Sequence, residues 1–154
     1  MAAVLGEVMI VEVPVKGYFE ENCFFYIDDK TQHGFLIDPG AQADVLAQII
    51  RQHGWTIEKI LLTHGHYDHI GAANDIQRAL KIPVCMGKGG NFYARDTANN
   101  GSKFFEQEII LDDVTIVEDD AEIILSANPN FKLRVIAAPG HTLDGTIYYS
   151  EKDS

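Results

Sequence analysis

The stretch His64-Gly65-His66-Tyr67-Asp68-His69 constrains this chain more than any other. It places three of the six histidines and one carboxylate within six residues. It follows the apolar run Ile60-Leu61-Leu62, which reads as a short buried strand, and precedes residues 71–80, which read as a helix. The motif therefore occupies a strand-to-helix loop at the carboxyl end of a strand, the edge of an open α/β sheet where ligands bind. Side chains two apart in an extended segment point the same way. His64 and His66 can thus converge on one ion, while Asp68 and His69, around the turn, aim at a second beside it. Imidazole with carboxylate suits zinc, and also iron or manganese. The bland reading is a polar loop with solvent-facing histidines, and donors packed this tightly argue against it.

A length of 154 residues predicts one domain with room for a real core. The net charge of −11 argues against nucleic acid or an anionic membrane as partner. No apolar run is long enough to span a bilayer, and the first residues lack the pattern of a signal peptide. Cys23 and Cys85, each in an apolar run, read as two buried reduced thiols, with the cytoplasm as the expected compartment.

Taken in order, residues 8–13, 22–27 and 35–37 read as strands in an antiparallel opening, with residues 14–21 as a loop carrying Tyr18 and Phe19. His33 falls in a polar turn and is expected to be exposed. Residues 42–53 place Val45, Leu46, Ile49 and Ile50 at helical spacing, with Gly54 as the stop. Residues 82–86, 114–117, 131–137 and 146–150 read as further strands. Residues 87–105 mix Gly and Asn with aromatics and read as an irregular segment that forms a lid or pocket wall. The acidic run 106–122 reads as a solvated edge. Asp38, before Pro39 and Gly40, ends a strand and favours a turn.

Thr63-His64-Gly65-His66-Tyr67-Asp68-His69-Ile70-Gly71 resembles the H-x-H-x-D-H signature of the metallo-β-lactamase superfamily, in the flavour of its small glyoxalase-II-like (hydroxyacylglutathione hydrolase-like) members. Ile37-Asp38-Pro39-Gly40 and Ala138-Pro139-Gly140-His141-Thr142 match two further motifs in the expected order. The resemblance implies an α/β fold of the αββα sandwich type, two sheets face to face with helices outside. It implies His141 as the third nitrogen ligand beside His64 and His66, Asp68 and His69 at a second metal, and Asp38 as a support that holds the metal loop. It also implies a hydrolase in which a zinc-generated hydroxide attacks a thioester- or ester-type carbonyl of a small-molecule substrate, Asp68 steering the proton. Tyr67, Tyr18, Phe19, Asn91 and Tyr93 are candidates for the pocket wall, with a place in the core or on the surface as the equal alternative.

The pattern departs from the family after His141. Family members continue with an aspartate that bridges the two metals and a further histidine. Here only Asp144, Glu151 and Asp153 follow, with no histidine. The expectation is a sandwich whose first half is complete and whose second half is partial, as in a chain missing its carboxyl-terminal part. That sandwich would have an uncovered apolar sheet face prone to self-association. It would bind one metal firmly and a second weakly, and hydrolyse poorly if at all. Two other readings remain open at this point. One is a metal-binding remnant without catalysis. The other is an iron-dependent persulfide dioxygenase-like enzyme, which needs two histidines and a carboxylate.

Overall fold

A computed structural model describes residues 2–5 and 7–151 of the chain; Asp153 lies outside the described residues. Seven strands form one sheet in sequential order: β1 (Ala2–Leu5), β2 (Val8–Lys16), β3 (Glu20–Asp28), β4 (His33–Ile37), β5 (Thr56–Leu61), β6 (Val84–Gly87) and β7 (Thr115–Val117). The first four are antiparallel neighbours, and β4 to β7 run parallel. The change of direction has a simple cause. The β2–β3 and β3–β4 links are short turns, whereas α1 (Ala43–His53), then α2 (Tyr67–Ile70) with α3 (Ala73–Leu80), carry the chain back across the sheet face. A second sheet of three strands has the order β10 (Thr146–Tyr149), β9 (Asn128–Ala137), β8 (Glu122–Leu125).

Alternation along the strands divides the core in two. Phe25, Ile27, Leu36, Ile60, Leu62 and Met86 face the helices and pack on Leu46, Ile50, Ile70 and Ile76. Tyr26, Phe35, Leu61 and Cys85 face the other way and meet Ile123, Leu125, Phe131, Leu133 and Val135 of the second sheet. The layers are helix, sheet, sheet. The outer face of the second sheet leaves Ile124, Ile147 and Tyr149 39–51% exposed. Among the described residues no helix is long and apolar enough to cross a membrane.

Several boundaries differ from the sequence expectation. β2 continues through Pro14 to Lys16. Its pairing with β1 ends at Val11, so the N–H that proline lacks is not needed on that side. The helix expected over 71–80 is α3, which starts at Ala73, and a separate single turn, α2, forms within the motif expected to be loop and contains Tyr67, Asp68 and His69. The acidic run 106–122 ends in β8, a strand the composition concealed. The irregular segment contains α4 (Gly90–Ala94) and a 3₁₀ turn at Ser102–Phe104. His33 is half-buried rather than exposed, because its Nδ1 meets Glu58 Oε2 at 2.9 Å.

Candidate metal centre

β5 ends at Leu61, and residues 62–66 run on to His66, the cap position of α2. This loop is held from three sides. Asp38, at the end of β4 with a left-handed backbone (φ 52°), turns its carboxylate onto the loop. Oδ1 accepts the N–H of Thr63 at 2.8 Å, and Oδ2 accepts the Thr63 hydroxyl at 2.5 Å. Gly40 and Gly71 make the close approach that lets this happen. A Cβ on Gly40 would collide with the carbonyl oxygen of Asp68, and one on Gly71 with the carbonyl oxygen of Gly40. From the other side, the N–H of Thr146 donates to the Thr63 carbonyl at 2.8 Å, and the Tyr148 hydroxyl donates to the Leu62 carbonyl at 2.7 Å. Those two bonds fix the loop that carries His141.

The three imidazoles meet. Ring centroids are 5.0 Å apart for His64 and His66, 5.4 Å for His64 and His141, and 4.8 Å for His66 and His141. One ring nitrogen from each lies within 4.8 Å of the others. Burial, then the neighbouring His69, pushes the His64 pKa down to about 4. Burial, then His141, lowers that of His66. Both rings are thus unprotonated near neutrality and offer lone pairs. Three nitrogen donors at this separation fit a divalent ion such as zinc with a position left open.

Asp68 and His69 lie on the far side of His64, whose ring centroid is 4.0 Å from that of His69. His69 Nδ1 is 2.9 Å from Asp38 Oδ2, so Asp38 orients this ring as well as Thr63. Its Nε2 points toward Asp68 Oδ2 at 3.9 Å and Glu21 Oε2 at 3.2 Å. Burial opposes a charged His69, but the hydrogen bond and charge of Asp38, with Asp68 and Glu21, outweigh it and raise its pKa. Asp144 is 1% exposed and burial raises its pKa. It joins none of the metal-competent groups among the described residues.

A cleft of about 530 Å³ opens beside Asp68 and Glu21 and is lined by Tyr18, Phe19 and Tyr67. Phe105, from the segment after α4, packs on Tyr67 (4.4 Å between centroids) and Tyr18 (4.6 Å) and braces this wall. Asn91 and Tyr93 do not line the cleft. Asn91 is exposed on α4. Tyr93 is buried, its hydroxyl accepts the Leu143 N–H at 2.8 Å, and its ring stands edge-on to His66 at 6.0 Å, so it braces the two histidine loops against each other.

Two residues escaped the sequence reading. Asn100 is fully buried and organises the irregular segment: its Nδ2 donates to the carbonyls of Tyr93 and Ile109, and its own carbonyl accepts the Tyr67 N–H at 2.9 Å. Nothing in a run of Asn and Gly distinguishes it. Glu21 did have a signal. It is in phase with Cys23, Phe25 and Ile27, so strand alternation puts it on the helix-facing side of β3, at the end nearest α2.

The sequence model of the metallo-beta-lactamase superfamily matches residues 17–154. The chain belongs to that superfamily. Similar superfamily proteins include the probable metallo-hydrolase YqgX of Bacillus subtilis, 32% identical over 140 residues covering 90% of this chain and 64% of that one. A hydroxyacylglutathione hydrolase of Yersinia enterocolitica is 32% identical over 143 residues, 92% of this chain and 47% of the relative. Among solved structures, the BLEG-1 B3 metallo-beta-lactamase superposes with a TM-score of 0.80 at 28% identity, over 94% of this chain and 68% of that one. TTHA1623 in a di-iron-bound form superposes with a TM-score of 0.75 at 24% identity, over 90% and 66%. This chain spans about half to two thirds of the length of the relatives it matches.

Proposed function

We propose that the chain is a metal-dependent hydrolase of a thioester- or ester-type carbonyl, of the kind hydroxyacylglutathione hydrolases cleave, with zinc as the ion at His64, His66 and His141. The observation that carries this is the meeting of three imidazoles from two separate loops at the carboxyl end of β5; the cleft is lined by Tyr67 and Asp68, which follow His66 in the chain. An ion held there supplies Lewis acidity and lowers the pKa of water it binds. The protein's own part is to place the groups. Asp38 holds Thr63 and His69, Tyr93 and Tyr148 brace the two loops, and Asp68 presents a carboxylate at the cleft edge, positioned to accept a proton from an attacking water. Tyr18, Phe19 and Tyr67 offer an apolar wall for a small-molecule acyl group. The two cysteines are buried free thiols, which suits a reducing compartment such as the cytoplasm.

The test is hydrolysis of an acylglutathione thioester by the purified chain. Turnover abolished by chelator and by His66→Ala supports this reading. A stably folded protein that binds no metal and gives no turnover above the His66→Ala variant removes it.

A further inference from the structure

We propose that Glu21 is a metal ligand, completing with Asp68 and His69 a second cation site that takes a harder ion, manganese(II) or iron(II), than the three-imidazole site beside it. One carboxylate oxygen of each acid and one ring nitrogen of His69 lie within 4.8 Å of one another. The inference rests on the reading of His64, His66 and His141 as a zinc site only for its neighbour, not for its own donors.

The geometry is specific. Nδ1 of His69 is engaged with the Asp38 carboxylate at 2.9 Å, the arrangement in which a carboxylate fixes the tautomer of a metal-binding imidazole. With Nδ1 as the donor, a neutral His69 presents its Nε2 lone pair to Glu21 Oε2 at 3.2 Å and Asp68 Oδ2 at 3.9 Å. Three acceptors then face one point, and a cation among them satisfies all three. Glu21 is held for this role. Its other oxygen accepts the Asn22 N–H at 3.2 Å, and its side chain is only about a quarter exposed. The backbone contributes too: α2 places Asp68 and His69 consecutively in one turn, while β3 delivers Glu21 from the opposite wall. The donor chemistry separates the two sites. Three imidazoles favour zinc, whereas two carboxylates with one imidazole form a harder, more anionic set. The site borders the aromatic-walled cleft, since Glu21 and Asp68 both line it.

The experiment loads metal-free protein with one equivalent of zinc and then titrates manganese(II), reading free and bound ion by electron paramagnetic resonance. The proposal expects one saturable manganese site in the unaltered protein, weakened at least about tenfold in Glu21→Gln and less in Glu21→Asp, with the zinc affinity unchanged in both. Circular dichroism on the same samples checks that the variants fold; Glu21 lies at a partly exposed strand end. Manganese affinity equal in the unaltered protein and Glu21→Gln overturns the proposal, as does the absence of a saturable manganese site. If zinc fails to bind but a manganese site appears and is lost in Glu21→Gln, the Glu21 site stands and the hydrolase reading falls.

Discussion

Asp38 shows how much one side chain can organise. It is 5% exposed, and its two oxygens hold Thr63 of the histidine loop and the ring of His69 at once. Asp38→Asn keeps the shape but loses the charge and one acceptor. It is expected to cost about 1–3 kcal/mol, the range for a disrupted buried charged hydrogen-bond group. Thermal unfolding reads this as a fall of several degrees, about 2–4 °C per kcal/mol for a domain of this size; an unchanged midpoint would contradict it. The histidines should also separate by pH in metal-free protein. Burial holds His64 near 4, below the ordinary 6.5, while Asp38 and its neighbours raise His69. The signs are opposite. His64 favours the folded state above 6.5, and that contribution drains as pH falls toward 4, because the unfolded chain takes up a proton the folded ring refuses. His69 favours the folded state below 6.5 and loses that contribution as pH rises through its raised value. Imidazole titration by nuclear magnetic resonance should give two midpoints on either side of 6.5, and coincident midpoints would refute the assignment.

At the level of elements, the site is a junction between the ends of β4 and β5, the turn α2 and the loop before β10. Gly40 is where two of these touch, so Gly40→Ala drives a methyl into the backbone of Asp68. The expected cost is about 1–3 kcal/mol from overpacking, with weaker binding of metal at Asp68 and His69. Equal melting and equal metal affinity in the variant would show that the junction does not hold the loop. Much of this junction was legible in the sequence, because apolar periodicity located β3, β5, β9 and α1 and the histidine spacing located the loop. What stayed hidden has physical causes. β8 is four residues long and continues an acidic run, and its three successive apolar residues, Ile123, Ile124 and Leu125, show no alternation to mark it as a strand. Glu21 meets Asp68 and His69 through the β2–β3 hairpin; alternation along β3 gives the face it lies on, but not this contact across 47 and 48 positions of sequence. Tyr93 carried the right chemistry for a pocket wall, but its hydroxyl is engaged by Leu143.

For the molecule as a whole, two sheets packed through Tyr26, Phe35, Leu133 and Val135 leave one outer face bearing Ile124, Ile147 and Tyr149. With β10 at the edge of that sheet, the chain is expected to self-associate as concentration rises, and Ile147→Lys to reduce this. Sedimentation velocity checks it, and a monomer at every concentration would contradict it. The central claim is that one ion is held by imidazoles brought from positions 64, 66 and 141. Calorimetric titration of metal-free protein with zinc, compared with the His141→Ala variant, tests it most directly. The account predicts a tight one-equivalent binding step that the variant loses; a titration without that step, or one the variant leaves unchanged, would contradict it.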